Sequence, residues 1–193
     1  MRVSVVCGTG AAVAALGAMF GTTVHAETRV APATDAGSTI AVYQGPRIQV
    51  AISDQYAHYH PEGRWLLLDT EMSAVGGPIN IPRSAFAVRT PGGDVVPLAS
   101  QQAFEKGYPE LASPIRQADF FEEHLAYFLP ERHRALNLFR IHGVGWVWPS
   151  AVLDPFHNCY GRLFFQLPNG VQKGRYELLI QLEKNEVVIP FTV

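Results

Sequence analysis

The chain has 193 residues, 48% of them hydrophobic, with 15 Lys and Arg against 17 Asp and Glu and a formal net charge of −2. That length and apolar content can close a buried core without crosslinks. The weak acidity, evenly spread, excludes a cationic surface for nucleic acid, and no run of basic residues points to a membrane patch.

The first 26 residues read as a secretory signal peptide. Arg2 gives a positive start, Val3–Val24 carries no charge, and Val24 and Ala26 place small residues where a signal peptidase inspects. The alternative is a retained anchor, since the uncharged run is long enough to span a bilayer. Gly, Ser and Thr dilute it below the Leu and Ile density of a stable span. Cleavage after Ala26 leaves 167 residues, removes Arg2 and Cys7, and moves the net charge to −3 with Cys159 as the one cysteine. The expectation is a periplasmic or extracellular protein with no nucleic-acid partner and no membrane insertion after cleavage. Residues 27–38, small, polar and aperiodic, read as a flexible leader. Residues 39–193 read as one domain.

Strand signals then follow at regular intervals. Ile48, Val50 and Ile52 alternate. The stretch WLLLDTEM sets Leu66, Leu68, Thr70 and Met72 on one face against Trp65, Leu67, Asp69 and Glu71 on the other. A hairpin runs from Phe86 and Val88 through Pro91-Gly92-Gly93 to Val95 and Val96. The middle changes period. Phe121, Leu125 and Phe128 at spacings of four and three, with Pro114 near the start and Pro130 at the end, predict a helix over Ser113–Leu129 inside a helical insert near residues 100–135, where Ser100–Leu111 offers a second, short helix. Pro130–Ala135, PERHRA, reads as a solvated charged link. The C-terminal third predicts an antiparallel meander: Leu163, Phe165 and Leu167, then Tyr176, Leu178, Ile180 and Leu182, then VVIPFTV, whose Pro190 suggests an edge. The fold class is therefore mainly β, an antiparallel sandwich with helical material between its halves.

The stretches RWLLLDTEMSAV, IPRSAFAVRTPGGDVVPL and GRLFFQLPNGVQKGRYELLI with its closing VVIPF distantly resemble the immunoglobulin-like sandwich domains of exported bacterial proteins. Telokin-like domains are the nearest of these. They cover about half the chain. The long middle departs from that pattern, and the Cys…Trp…Cys arrangement of antibody-type domains is missing. The resemblance implies an extracytoplasmic interaction or accessory module and carries over no catalytic residue.

Candidate chemistry gathers in DPFHNCYG, Asp154–Gly161. One reading is a Cu or Zn site. His58 and His60 would share a face if extended, His157 and Cys159 repeat the spacing, and His142 adds a donor. A second makes Cys159 a nucleophile with His157 or His142 as base, although no nucleophile signature surrounds it. The third is structural: Asp154-Pro155 opens a turn, His157-Asn158 ends it, and Cys159 enters a strand as a small buried hydrophobe. The third is preferred. Glu122 and Glu123 beside His124 diverge on a helix and form no carboxylate pair. Trp146 and Trp148, bounded by Gly145 and Pro149, share a face if extended and suit stacking on a sugar or anchoring in a partner, with at least one indole expected in the core. No phosphate-cradling glycine loop, triad or tight metal spacing is present. The expected function is a non-enzymatic binding module, without a cofactor, that recognises a protein or a cell-envelope component.

Overall fold

The computed structural model describes residues 29–30, 34–37, 39–60, 63–120, 125–129, 132–140 and 144–193. In chain order the elements are β1 (Arg29–Val30), β2 (Thr34–Gly37), β3 (Ile40–Gln44), β4 (Ile48–Ser53), α1 (Gln55–Tyr59), β5 (Trp65–Ala74), β6 (Ile79–Pro82), a 3-10 turn (Arg83–Ala85), β7 (Phe86–Arg89), β8 (Val95–Pro97), α2 (Gln101–Phe120), β9 (His133–Ala135), β10 (Ser150–Leu153), β11 (Asn158–Gln166), β12 (Arg175–Gln181) and β13 (Glu186–Thr192). Strands dominate, as expected. They form a five-stranded sheet in the order β1-β13-β12-β7-β8, a six-stranded sheet β2-β3-β4-β5-β11-β9, and a two-stranded sheet β10-β6. The expected signal peptide lies outside the described residues.

Strand β5 settles the layering. Leu66, Leu68 and Met72 enter one core with Leu163 and Phe165 of β11 and with Tyr176, Leu178 and Ile180 of β12, so that core draws on both large sheets. Trp65 and Leu67 point the other way, into a second cluster with Phe164, Phe104, Leu111 and Ala118. The pleat sends alternate residues to opposite faces, and here both faces are apolar. The outer one therefore needs its own cover.

Helix α2 provides it, running through the short helix expected over Ser100–Leu111 and ending well before the Leu129 expected for the second. The stripe that buries is Phe104, Leu111 and Ala118, spaced by seven, a helical repeat that packs on Trp65 and Phe164. Pro109 and Pro114 lie inside the helix rather than at its start. Leu125 and Phe128 also bury against this sheet, beside Val42 and Ala51, but from a non-helical stretch. Phe121, Glu122, Glu123 and His124 lie outside the described residues.

The charged groups Asp69, Glu71 and Arg162 on the same outer face are paired. The Arg162 guanidinium lies 2.6 Å from Asp69 on the neighbouring strand and 3.2 Å from Asp119 of α2, bolting helix to sheet. Burial alone would lower the Arg162 pKa, yet the two carboxylates more than offset it and raise it above its ordinary value. Glu71, wholly buried, accepts from the Tyr160 hydroxyl and the Tyr127 N–H, each at 2.9 Å.

Two further expectations are corrected. The C-terminal meander is broken: β12 pairs with β13 and β7, whereas β11 pairs with β5 and β9, so the Pro168-Asn169-Gly170 turn carries the chain from one sheet to another. Residues 27–38, expected as a flexible leader, supply β1 and β2, which pair with β13 and β3. The β7–β8 hairpin matches expectation, with Gly93 at φ +91 taking the left-handed turn position that side chains resist. Pro190 sits past the two positions, Val187 and Val188, where β1 covers β13, consistent with an edge.

The contact of α2 with Trp65 yields a prediction whose sign is diagnostic. A Cβ at Gly107 would lie 2.3 Å from Trp65 Cζ2. Helix propensity alone makes Gly→Ala stabilising by about 1 kcal/mol. Overpacking the buried indole costs about 1–3 kcal/mol. Urea denaturation of Gly107→Ala is expected to show a net loss of stability; a gain would mean that α2 does not rest on Trp65.

Candidate functional site

Strands β10 and β11 leave one tight turn and part. Asp154 Oδ1 accepts the Phe156 N–H at 2.8 Å, an Asx turn, and Asp154 and His157 form an isolated bridge across it. Beyond the turn β10 pairs with β6, while β11 takes β5 on one side and the parallel strand β9 on the other. Their divergence opens a cleft of about 350 Å³, lined by residues 134–137, by Trp148 and residues 150–152, and by Cys159. The Trp148 N–H donates to the Asn137 carbonyl at 2.9 Å near one end. Arg134 pairs with Asp154 at 2.9 Å near the other. Gly161 permits the close seating of the β9 side, since a Cβ there would lie 2.7 Å from both Cβ and O of Leu136.

The electrostatics follow from the turn. Burial would raise the Asp154 pKa, but a hydrogen bond with His157, the Phe156 N–H and the Arg134 charge together hold it below the ordinary carboxylate value. His157 Nδ1 stands 2.9 Å from Asp154 Oδ1 and 3.2 Å from Arg134 Nη2, so the imidazole belongs to this turn cluster. Burial pushes the Cys159 thiol up; the Arg134 charge partly offsets this and the Asp154 charge adds to it. The side chain is 2% exposed and its Sγ faces the Val152 carbonyl at 3.7 Å. A raised pKa disfavours the thiolate, the reverse of what a cysteine nucleophile needs. The turn and the small buried hydrophobe are the arrangement found.

The proposed metal donors are placed apart. His58 lies exposed on α1, a short helix, where residues two apart diverge. His60 follows the helix and stacks on Tyr56 at 4.5 Å. Tyr56 packs with Trp65, which pairs with Gln166, whereas Cys159 pairs with Met72 seven positions along the same strands. At about 3.3 Å per residue those two strand positions stand ~23 Å apart, so the two donor pairs lie towards opposite ends of β5. Among the described residues no three His, Cys, Asp or Glu side chains gather as a metal set. His142 lies outside the described residues.

The two tryptophans also depart from expectation, and in the opposite sense. Neither is a core plug: Trp146 is 84% exposed and Trp148 54%. Sequence reasoning missed Arg134 and Asp154, which sit near the cleft's end. PERHRA read as a link and Asp154 only as a turn opener, and no local period connects a residue of β9 with a turn twenty residues on. No protein-family model, curated protein or solved structure matches the chain.

The turn cluster gives a pH prediction. Asp154 has a folded pKa below its unfolded value of about 3.9, so its stabilisation is fully present above that value and is lost as pH falls through the folded one. Asp154→Asn is therefore expected to be less stable than wild type at pH 6. The gap should close as pH falls below about 4, measured by urea denaturation across pH; a gap that is constant down to pH 2 would refute the ionic role.

Proposed function

We propose that the chain is an exported, non-enzymatic recognition module of immunoglobulin-like β-sandwich type, active in the periplasm or outside the cell, whose Trp146–Trp148 face engages a protein or a cell-envelope component. The observation that carries this reading is the exposure of both indoles beside the cleft between β9 and β10. Leaving a large apolar side chain in water forgoes about 1.5–3 kcal/mol of burial, and aromatic side chains dominate the energetics of binding surfaces. Support for the sandwich comes from the core shared by the two large sheets and from antiparallel pairing everywhere except β1–β13 and β9–β11. Recognition through the connections of such a scaffold needs no catalytic group.

Envelope extract passed over immobilised protein tests this. Wild type and a Val95→Ala control, altered on the remote β8, should retain a component that the Trp146→Ala, Trp148→Ala double variant loses at least tenfold. Equal melting temperatures would show that the loss is not unfolding. Equal capture by all three would sink the reading.

A further inference from the structure

The cleft between β9 and β10 is bounded on both sides by strand edges. Strand β9 ends the six-stranded sheet and β10 belongs to the two-stranded one, so each has a single hydrogen-bonded neighbour. A strand paired on one side points alternate main-chain groups away from its partner. Three contacts fix which residues of β10 do so. The Arg83 N–H donates to the Pro149 carbonyl at 3.1 Å, which directs the main-chain groups of residues 149, 151 and 153 towards β6. Pro82, opposite Ser150, has no N–H to give. The Val152 carbonyl turns the other way, to Cys159 Sγ at 3.7 Å. Ser150 and Val152 therefore aim their N–H and C=O groups away from β6, and both residues line the cleft.

On the opposite wall the Asn158 N–H donates to the Arg132 carbonyl at 2.7 Å and the Leu136 N–H to the Tyr160 carbonyl at 2.6 Å. In a parallel ladder this turns residues 132, 134 and 136 to β11 and leaves His133, Ala135 and Asn137 facing outwards. The Asn137 carbonyl agrees, since it accepts the Trp148 N–H at 2.9 Å. Counting on from that contact in antiparallel order sets Ala135 against Ser150 and His133 against Val152. The two strands thus turn their outward groups to each other and make one rung. The following rungs are unmade, for β9 and β10 are not paired among the described residues, and the cleft takes their place. The sheets on either side hold the gap open: β9 is paired to β11, and β10 to β6 with Ala151 and Leu153 buried in the main core.

We propose that this cleft takes a short extended peptide segment of a protein partner, which hydrogen-bonds to Ser150 and Val152 on one wall and to Ala135 on the other. The proposal rests on the reading of the Trp148 face as a recognition surface and names what is recognised. An extended main chain is the ligand that offers donors and acceptors alternately to both sides at the repeat of a strand, and sheet edges bind peptides in this way. The side chains of β10 define the sequence it carries. Trp148 and Val152, 54% and 47% exposed, stand two pleats apart on the outer side, while Ala151 points into the core. A strand added alongside lays every second side chain next to them, so apolar residues at alternate positions cover both. Arg134 at the far end already pairs with Asp154, so no acidic residue is required. The open stretch, residues 150–152, measures about 10 Å and accommodates three residues.

The test probes the purified protein with an array of synthetic octapeptides in which Val, Ile, Leu or Phe alternates with Thr, and carries the tightest binder forward. At saturation that peptide should slow hydrogen exchange of the Ser150, Val152 and Ala135 amides at least tenfold. The Ala151 amide, which faces β6, should be unchanged. N-methylation of the central peptide amides deletes donors and keeps every side chain; it should weaken binding at least tenfold. Ser150→Pro removes a donor that β6 does not use, so it should cut binding at least tenfold at an unchanged melting temperature. Ser150→Ala keeps the N–H and should bind as wild type. Absence of binding by every array peptide overturns the proposal, as does binding that ignores N-methylation or leaves the three amides exchanging freely. Capture from envelope extract that needs the two tryptophans but survives Ser150→Pro overturns the peptide target alone and leaves the recognition reading standing. Capture that ignores the tryptophans, with no peptide bound, removes both.

Discussion

The architecture depends on one strand that is apolar on both faces. In β5 every residue but Asp69 is buried, with Leu66, Leu68 and Met72 turned into the main core and Trp65 and Leu67 turned out of it. A strand of this kind cannot remain at a wetted sheet surface. Each large side chain left in water would forgo about 1.5–3 kcal/mol. One face is covered by the five-stranded sheet. The other takes α2 and the stretch carrying Leu125 and Phe128, so much of the chain between β8 and β11 is committed to roofing a single strand and its neighbours. The same constraint fixes the polar residues interleaved on that face. Asp69 and Glu71 would be costly to bury alone, and they meet Arg162, Tyr160 and the Tyr127 N–H.

What the sequence made legible was local. Alternation in β4, β5, β11 and β12 follows from the two-residue pleat, and the facing of Tyr176, Leu178 and Ile180 into the core matched it residue by residue. What alternation does not encode is the neighbour. Strand β11 carries Leu163 and Phe165 on one face and Phe164 on the other, so its pattern declares a strand yet leaves open which sheet will hold it. The short turn after Gln166 suggested β12, and the demand of β5 for a partner decided otherwise. The position of α2 was obscured for a different reason. Pro114 read as lying near the start of a helix, whereas burial of the Phe104, Leu111 and Ala118 stripe carries one helix through both Pro109 and Pro114.

The site was less legible than the frame. Residue type marked Trp146 and Trp148 as recognition candidates, but apolar size alone argued for the core, and only the fold places both in water. The cleft beside them is a product of topology: two strands leave one turn for different sheets, and the space between them exists because neither can follow the other. Arg134 and Asp154 meet only because β9 adds to β11 in parallel, a pairing of three residues that no sequence period announces.

That pairing also bears on the reactivity of Cys159, the one cysteine among the described residues. Disulfide exchange proceeds through the thiolate and needs access to it, so a cysteine reacts readily only where both conditions are met. Seating Cys159 on β11 between β9 and β5 limits both: its burial raises the thiol pKa, and although the residue lines the cleft it is only 2% exposed. The strand that walls the cleft thus helps to keep the sulfur out of water, and the Cys159 thiol resists exchange by burial and by protonation together.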